Sequence, residues 1–305
     1  MKALLFPGQG VKRVGMLDKL FGDVAEIKNV IESLSKSLDF DLEDLLRYGP
    51  EEKINLTEYS QPAILVASTL IAKYSNQSSN IDITAGLSLG EYSALVFSGC
   101  LNLEDATRLV NYRGKLMQSA VPEGTAGMLV VLNMPINEVY MMIEKINETN
   151  ETINFSTDNA EGVSVLAGKN SSIDACKKYI EDNNFRRVKT QMVQMSVPSH
   201  CSLLSEAQAE LEKLLNSMEF KSPKIPVIPN VLAKPTSNPD EIKNALVTQL
   251  TSTVRWRETL DYLLKNNLSS LIDSGPGKTI INMARNCLLY TSDAADEGLG
   301  VDLGG

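Results

Sequence analysis

Gly86-Leu87-Ser88-Leu89-Gly90 follows the pattern G-x-S-x-G, in which glycines on both sides let a serine sit on a sharp strand-to-helix turn with its hydroxyl exposed as a nucleophile. The apolar, alternating residues 81–85 supply the strand and residues 91–97 the helix. Ser88 is therefore expected at the positive end of a helix dipole, where a developing oxyanion is favoured. A plain glycine turn is the other reading of the pentapeptide. A serine nucleophile needs a base, and the chain has one histidine, His200. It stands at or just before the start of an expected amphipathic helix, whose dipole would keep the ring neutral and able to accept a proton. For a lone histidine the alternative is a cap or a surface side chain. No acid presents itself as a third member, which leaves a backbone carbonyl to orient the imidazole.

Arg113 is the third informative residue. On the helix expected from about Asn102 to Ala120, Glu104 and Asp105 form an acidic first turn, and the apolar stripe runs through Ala106, Leu109, Val110, Leu116, Met117 and Ala120. The spacing puts Arg113 inside that stripe. A guanidinium there needs an anion: a substrate carboxylate held in bidentate fashion, or a protein Asp or Glu, unless the side chain snorkels to water. Phe6-Pro7-Gly8-Gln9-Gly10 follows the first apolar strand. Gly8 and Gly10 either make an ordinary turn or let a backbone N–H approach a ligand closely, as an oxyanion hole requires. It is not a phosphate loop, because neither G-x-G-x-x-G nor the Walker pattern is present.

These residues have to be held by an α/β body. Its expected elements are a strand over 3–6, a helix over 60–76 with a serine cap and Pro62 in its first turn, the strand and helix around Ser88, and the helix carrying Arg113. Over 128–193 the periodicity changes to strand (128–132), helix (137–147), strand (152–156), strand (162–167), helix (171–183) and strand (185–193), a ferredoxin-like order inserted into the larger body. A helix over 203–218 and an α/β stretch containing Val227-Ile228 and Leu271-Ile272 complete it.

With 305 residues, 43% of them hydrophobic and 22% charged, the chain is long enough to bury a full core. Its 29 basic against 38 acidic side chains give a net charge of −9 with no block of like charge, so no footprint for nucleic acid or an anionic membrane is expected. Cys100, Cys176, Cys201 and Cys287 are scattered without a C-x-x-C pair, which with one histidine argues against a structural metal or a disulfide framework. No apolar core of a signal peptide and no long apolar run is present, and a cytoplasmic location is expected. Residues 287–305 hold Asp293, Asp296, Glu297 and Asp302, no base and no helix or strand period. The stretch 287–297 resembles one reading frame of a transposase sequencing adapter, so 287–305 is expected to be a non-native tail; a genuine disordered tail is the alternative.

Taken together, Phe6-Pro-Gly-Gln-Gly10, Ser60-Gln-Pro-Ala63, the run from Gly86 to Leu95, Tyr112-Arg-Gly114, Ser196-Val-Pro-Ser-His-Cys201 and Gly275-Pro-Gly277 occur in the order and approximate spacing of one family. From residue 1 to about 286 the chain resembles bacterial malonyl-CoA:acyl carrier protein transacylases. The resemblance implies an α/β-hydrolase-like body with a parallel sheet (1–124 and 196–286) and an inserted ferredoxin-like (βαββαβ) subdomain (125–195). It also implies a malonyl group carried from CoA to the phosphopantetheine thiol of acyl carrier protein through a malonyl ester on Ser88, for fatty acid synthesis, with no metal or bound cofactor and a monomeric enzyme.

By position, Ser88 matches the nucleophile and His200 the base, the N–H groups of Gln9 and Leu89 the oxyanion hole, and Arg113 the holder of the malonyl carboxylate. Gln249 matches the residue whose carbonyl orients the histidine. Gln61 matches a pocket glutamine, and Asn159 aligns loosely. Leu87 stands where the family usually has histidine, and 156–163 reads as a longer, acidic version of a family loop. Acyl carrier proteins are themselves acidic, so docking requires a local basic patch, for which Arg187 and Lys189 on one strand face and Lys177-Lys178 are candidates. The alternatives are a malonyl loader for a polyketide synthase, a serine hydrolase and an inactive carrier-binding homologue.

Overall fold

The computed structural model describes residues 1–18, 20, 25–74, 78–149 and 151–292. In chain order the elements are β1 (Lys2–Phe6), α1 (Ala25–Ser35), α2 (Leu42–Tyr48), α3 (Glu51–Asn55), α4 (Thr57–Tyr74), β2 (Ile83–Gly86), α5 (Gly90–Phe97) and α6 (Leu103–Ala120). The chain continues through β3 (Ala126–Leu132), α7 (Ile136–Asn147), β4 (Ile153–Ala160), β5 (Val163–Lys169), α8 (Asn170–Asp182) and β6 (Lys189–Met192). It closes with α9 (Ser205–Ser217), β7 (Val227–Ile228), α10 (Pro239–Gln249), α11 (Trp256–Lys265), β8 (Ser270–Asp273) and α12 (Thr279–Ser292).

The strands form two sheets. One is parallel, in the order β7-β2-β1-β8. Parallel strands are covered on both faces, and the alternation along β1 distributes its side chains accordingly. Leu4 and Phe6 join the large core with α4, α5 and α6, while Ala3 and Leu5 face Trp256, Leu260 and Leu263 of α11. The other sheet is antiparallel, in the order β4-β5-β3-β6. Leu129, Val131 and Leu166 on one face pack with α7 and α8, and Met128, Val165 and Ala167 on the other reach the core of the parallel body.

Several sequence expectations need correction. The helix placed at 60–76 begins earlier, at Thr57, so Ser60 does not cap it and Pro62 lies inside it. Proline there removes the hydrogen bond that the Glu58 carbonyl would receive. Asn111 of α6 supplies it instead, its Nδ2 donating to Glu58 O at 2.9 Å, a compensation that local sequence does not reveal. The acidic loop expected over 156–163 is largely strand: β4 continues with two register shifts to Ala160. Its backbone pairs with Val254, and the buried Asp158 takes both Nε and Nη2 of Arg257, so its charge is spent holding the second sheet to the body. The final segment also differs, because α12 carries on past Asn286 to Ser292; a helix already nucleated extends at little cost per residue. Residues 293–305, the rest of the expected tail, lie outside the described residues.

Candidate active site

The carboxyl ends of three adjacent strands meet at one place. β1 runs into a tight turn at Gln9–Val11, β2 into Leu87-Ser88, and β7 into Pro229-Asn230. Such a crevice beyond the strand ends is where an open parallel sheet receives ligands. Gly86 and Gly90 make the elbow possible by contact. A Cβ on Gly86 would stand 1.9 Å from the Gly90 carbonyl carbon, and one on Gly90 2.3 Å from Phe6 O. Between them Ser88 is held at φ +52°, a conformation costly for any residue with a Cβ. Asn230 fixes it from both sides: its Oδ1 accepts from Ser88 N–H at 2.7 Å and its Nδ2 donates to Gly86 O at 2.6 Å. α5 starts two residues on, which puts Ser88 at a positive helix end as expected.

Ser88 Oγ lies 2.6 Å from Nε2 of the buried His200. His200 Nδ1 lies 2.8 Å from the main-chain oxygen of Gln249. A carbonyl only accepts, so Nδ1 carries the hydrogen and Nε2 is left to take the serine proton. Gln249 ends α10, where helix carbonyls lack internal partners and the dipole is negative. A carbonyl thus occupies the place of a triad acid. His200 stands just before the turn at Ser202–Leu204 that leads into α9, within the sequence expectation, although the α-helix proper begins only at Ser205. Its low basicity has other sources: burial first, then the charge of Arg113, bring it down to about 4.

Arg113 is buried, as its place in the apolar stripe predicts. Its partners are amide oxygens: Nη1 donates to Gln61 Oε1 at 2.8 Å and Nη2 to Gln249 Oε1 at 3.3 Å, with the Tyr92 ring 5.5 Å from the guanidinium carbon. Among the described residues no carboxylate forms an ion pair with it. Of the two anions left open by the sequence, an internal Asp or Glu is therefore absent at pairing distance among the described residues; the buried Glu91 acts on the guanidinium only across the Gln249 amide. The Gln61 amide also donates to Met117 Sδ at 3.3 Å. Gln9 is anchored through its side chain, Nε2 donating to Ser60 Oγ (2.6 Å) and Thr57 Oγ1 (3.1 Å). The main-chain N–H groups of Gln9 and Leu89 have no acceptor among the described residues. Gly8 packs on the Leu87 carbonyl, where a Cβ would be 3.0 Å away, and this brings the Gln9 turn beside the elbow.

Leu87 packs with the apolar residues under α11. Asn159 is buried in β4 with its Oδ1 unpaired. Of the basic candidates, Arg187 lies in the turn before β6 and so does not share a strand face with Lys189, and Lys177 is engaged by Asp174 at 3.1 Å. Two residues of the site were not anticipated. Glu91, fully buried, accepts from Asn230 N–H (2.9 Å) and Gln249 Nε2 (2.8 Å), and burial pushes its carboxyl up to about 7. Asn230 is the other. The available signals were an acid on an otherwise apolar helix start and an asparagine two residues after a strand.

The family model of the acyl transferase domain matches residues 3–289. The malonyl CoA-acyl carrier protein transacylase of Haemophilus influenzae is 36% identical over 286 residues, covering 93% of this chain and 91% of that protein. The protein of the same name from Bacillus subtilis is 32% identical over 284 residues, covering 93% and 89%. Among solved structures, an acyl carrier protein S-malonyltransferase from Vibrio cholerae superposes with a TM-score of 0.88 at 35% identity over 94% of each chain. A malonyl-transacylase solved in complex with its type II PKS acyl-carrier protein superposes with a TM-score of 0.88 at 33% identity, over 94% of this chain and 93% of that one.

Proposed function

Because the chain belongs to the acyl transferase family, we propose that this site moves a malonyl group from CoA to the phosphopantetheine thiol of acyl carrier protein, for fatty acid synthesis, through an ester on Ser88. The observation that carries this reading is the pairing of a serine–histidine couple at 2.6 Å with a buried arginine that forms no ion pair with a carboxylate among the described residues.

His200 Nε2 takes the Ser88 proton as Oγ attacks the thioester carbon. The imidazolium that forms is favoured by the Gln249 carbonyl and the negative end of α10. The N–H groups of Gln9 and Leu89 receive the oxyanion, and collapse of the tetrahedral intermediate expels CoA thiolate, which recovers the proton from His200. In the second half the carrier thiol gives its proton to His200 and attacks the ester; the new thioester forms as the ester C–O bond breaks, and Ser88 Oγ leaves with the proton returned from His200. Arg113 holds the acyl carboxylate; an acetyl group would leave the guanidinium without that partner, a loss of about 1–3 kcal/mol. The chemistry is complete without a metal or cofactor.

The reading extends to an α/β-hydrolase-like body over 1–124 and 196–286, a ferredoxin-like subdomain over 125–195, and a monomer at work in the cytoplasm. The exposed Lys178, Arg187 and Lys189 are the positive charges offered to an acidic carrier. Intact-mass measurement after addition of malonyl-CoA tests the core of it. A malonyl adduct located on Ser88 and discharged by holo carrier protein is expected; a protein that stays unmodified overturns the reading, and an adduct lost to water as fast as to thiol makes the enzyme a hydrolase.

A further inference from the structure

The mechanism above makes no use of Glu91, a carboxylate fully buried three residues after the nucleophile. Its Oε2 accepts two hydrogen bonds, from Asn230 N–H and Gln249 Nε2, while its Oε1 is buried without a partner. The Gln249 amide also receives Arg113 Nη2 on its oxygen at 3.3 Å. It therefore bridges a guanidinium and a carboxylate, and only one orientation of the amide satisfies both ends. The other groups facing Glu91 carry no charge: Asn230 after β7, Gln249 of α10, and Tyr92 on its own helix, whose ring lies under Arg113. His200, across Gln249, is neutral above acid pH.

We propose that Glu91 is a positioning residue for acyl selectivity: through Gln249 it is the counter-charge of Arg113 when the site holds no acyl carboxylate, and it takes up a proton from solvent when an anionic acyl group pairs with Arg113. A second carboxylate brought to the same buried guanidinium disfavours the ionised form of the first. Burial already lifts the Glu91 carboxyl to about 7, so the uptake falls near neutrality. The proposal rests on the malonyl-transfer reading.

The test follows Ser88 acylation in the full chain by intact mass, with malonyl and acetyl thioesters of N-acetylcysteamine, which carry no phosphate to titrate. Between about pH 6 and about pH 8 the half-saturating concentration of the malonyl donor should rise about tenfold while that of the acetyl donor stays level. Glu91→Gln keeps an acceptor oxygen for Asn230 and Gln249; it should abolish the malonyl slope and raise the malonyl-over-acetyl preference about tenfold at the higher pH. The same slope in wild type and Glu91→Gln, or an unchanged preference, overturns the proposal. If Glu91→Gln does not fold, parallel malonyl and acetyl slopes in the wild type overturn it. Absence of acylation by either donor overturns the transferase reading instead.

Discussion

Ser88 and His200, 112 residues apart in the chain, both hold left-handed backbone torsions, φ +52° and +57°, and their side chains meet at 2.6 Å. The couple is thus assembled from two strained turns that the surrounding structure holds in place. Glycine meets no penalty at such a torsion, whereas alanine does. Ser88→Gly and Ser88→Ala should both abolish acylation, but the glycine variant should be more stable than the alanine variant by about 1 kcal/mol. Urea denaturation of the pair, with intact mass as the activity check, measures both effects.

Asn230 closes the elbow with one amide. Asn230→Ala leaves Ser88 N–H and Gly86 O unpaired and removes a constraint on the nucleophile. A stability loss of about 1–3 kcal/mol is expected. Single-turnover acylation should slow by roughly a hundredfold with a smaller change in half-saturation, because a misplaced nucleophile harms the chemical step more than binding.

Gln61 and Arg113 offer a direct test of the guanidinium that lacks an ion pair. Gln61→Glu would place a carboxylate where an amide oxygen now accepts from Nη1 at 2.8 Å. The internal ion pair should compete with the substrate, lowering kcat/KM for malonyl-CoA more than tenfold while leaving the acetyl donor little affected. Arg113→Ala should erase the preference for malonyl over acetyl. A variant that retained that preference would place the carboxylate elsewhere.

Two buried groups give opposite pH slopes. His200 sits at about 4, below its ordinary 6.5, chiefly through burial; the unfolded chain binds that proton more readily, so stability falls as pH falls through this window. Glu91 sits at about 7, above its ordinary 4.5, also through burial; the folded chain binds that proton more readily, so stability falls as pH rises through its window. Each slope is at most about 1.4 kcal/mol per pH unit, and the two oppose each other where the windows overlap. Relative to wild type, His200→Gln should tilt stability toward acid and Glu91→Gln toward neutral pH. Denaturation midpoints of the three proteins across the overlap decide this, and parallel profiles would contradict it.

Gly114 packs α6 tightly on the start of α4: a Cβ there would meet Glu58 Cα at 2.6 Å and Thr57 O at 2.7 Å. These backbone atoms cannot step aside, so Gly114→Ala should push the helices apart and separate Arg113 from Gln61. The malonyl KM should rise about tenfold, with a stability loss of about 1–3 kcal/mol. Acetyl-donor kinetics should move much less.

The sequence alone singled out Ser88, His200 and a buried Arg113, and the structure brings the first two into contact. Each follows from a local rule: glycines flanking a serine before a helix, one imidazole in the whole chain, and a charge at an apolar position of a helical stripe. The alternation of strands and helices was legible for the same reason, since burial of one face leaves a period in the residues. Other features depend on groups far apart in the chain, and only the tertiary structure decided them. The interior Pro62 is tolerated because Asn111 reaches the Glu58 carbonyl, β4 extends through an acidic stretch because Arg257 neutralises Asp158, and Arg113 is left without a direct ion pair because its hydrogen-bond acceptors are amides. Glu91, Gln249 and Asn230 come together from α5, from the end of α10 and from beyond β7. Hydrogen bonds among such residues leave no periodicity in a sequence, because what selects them is the place where three strand ends and a helix terminus meet.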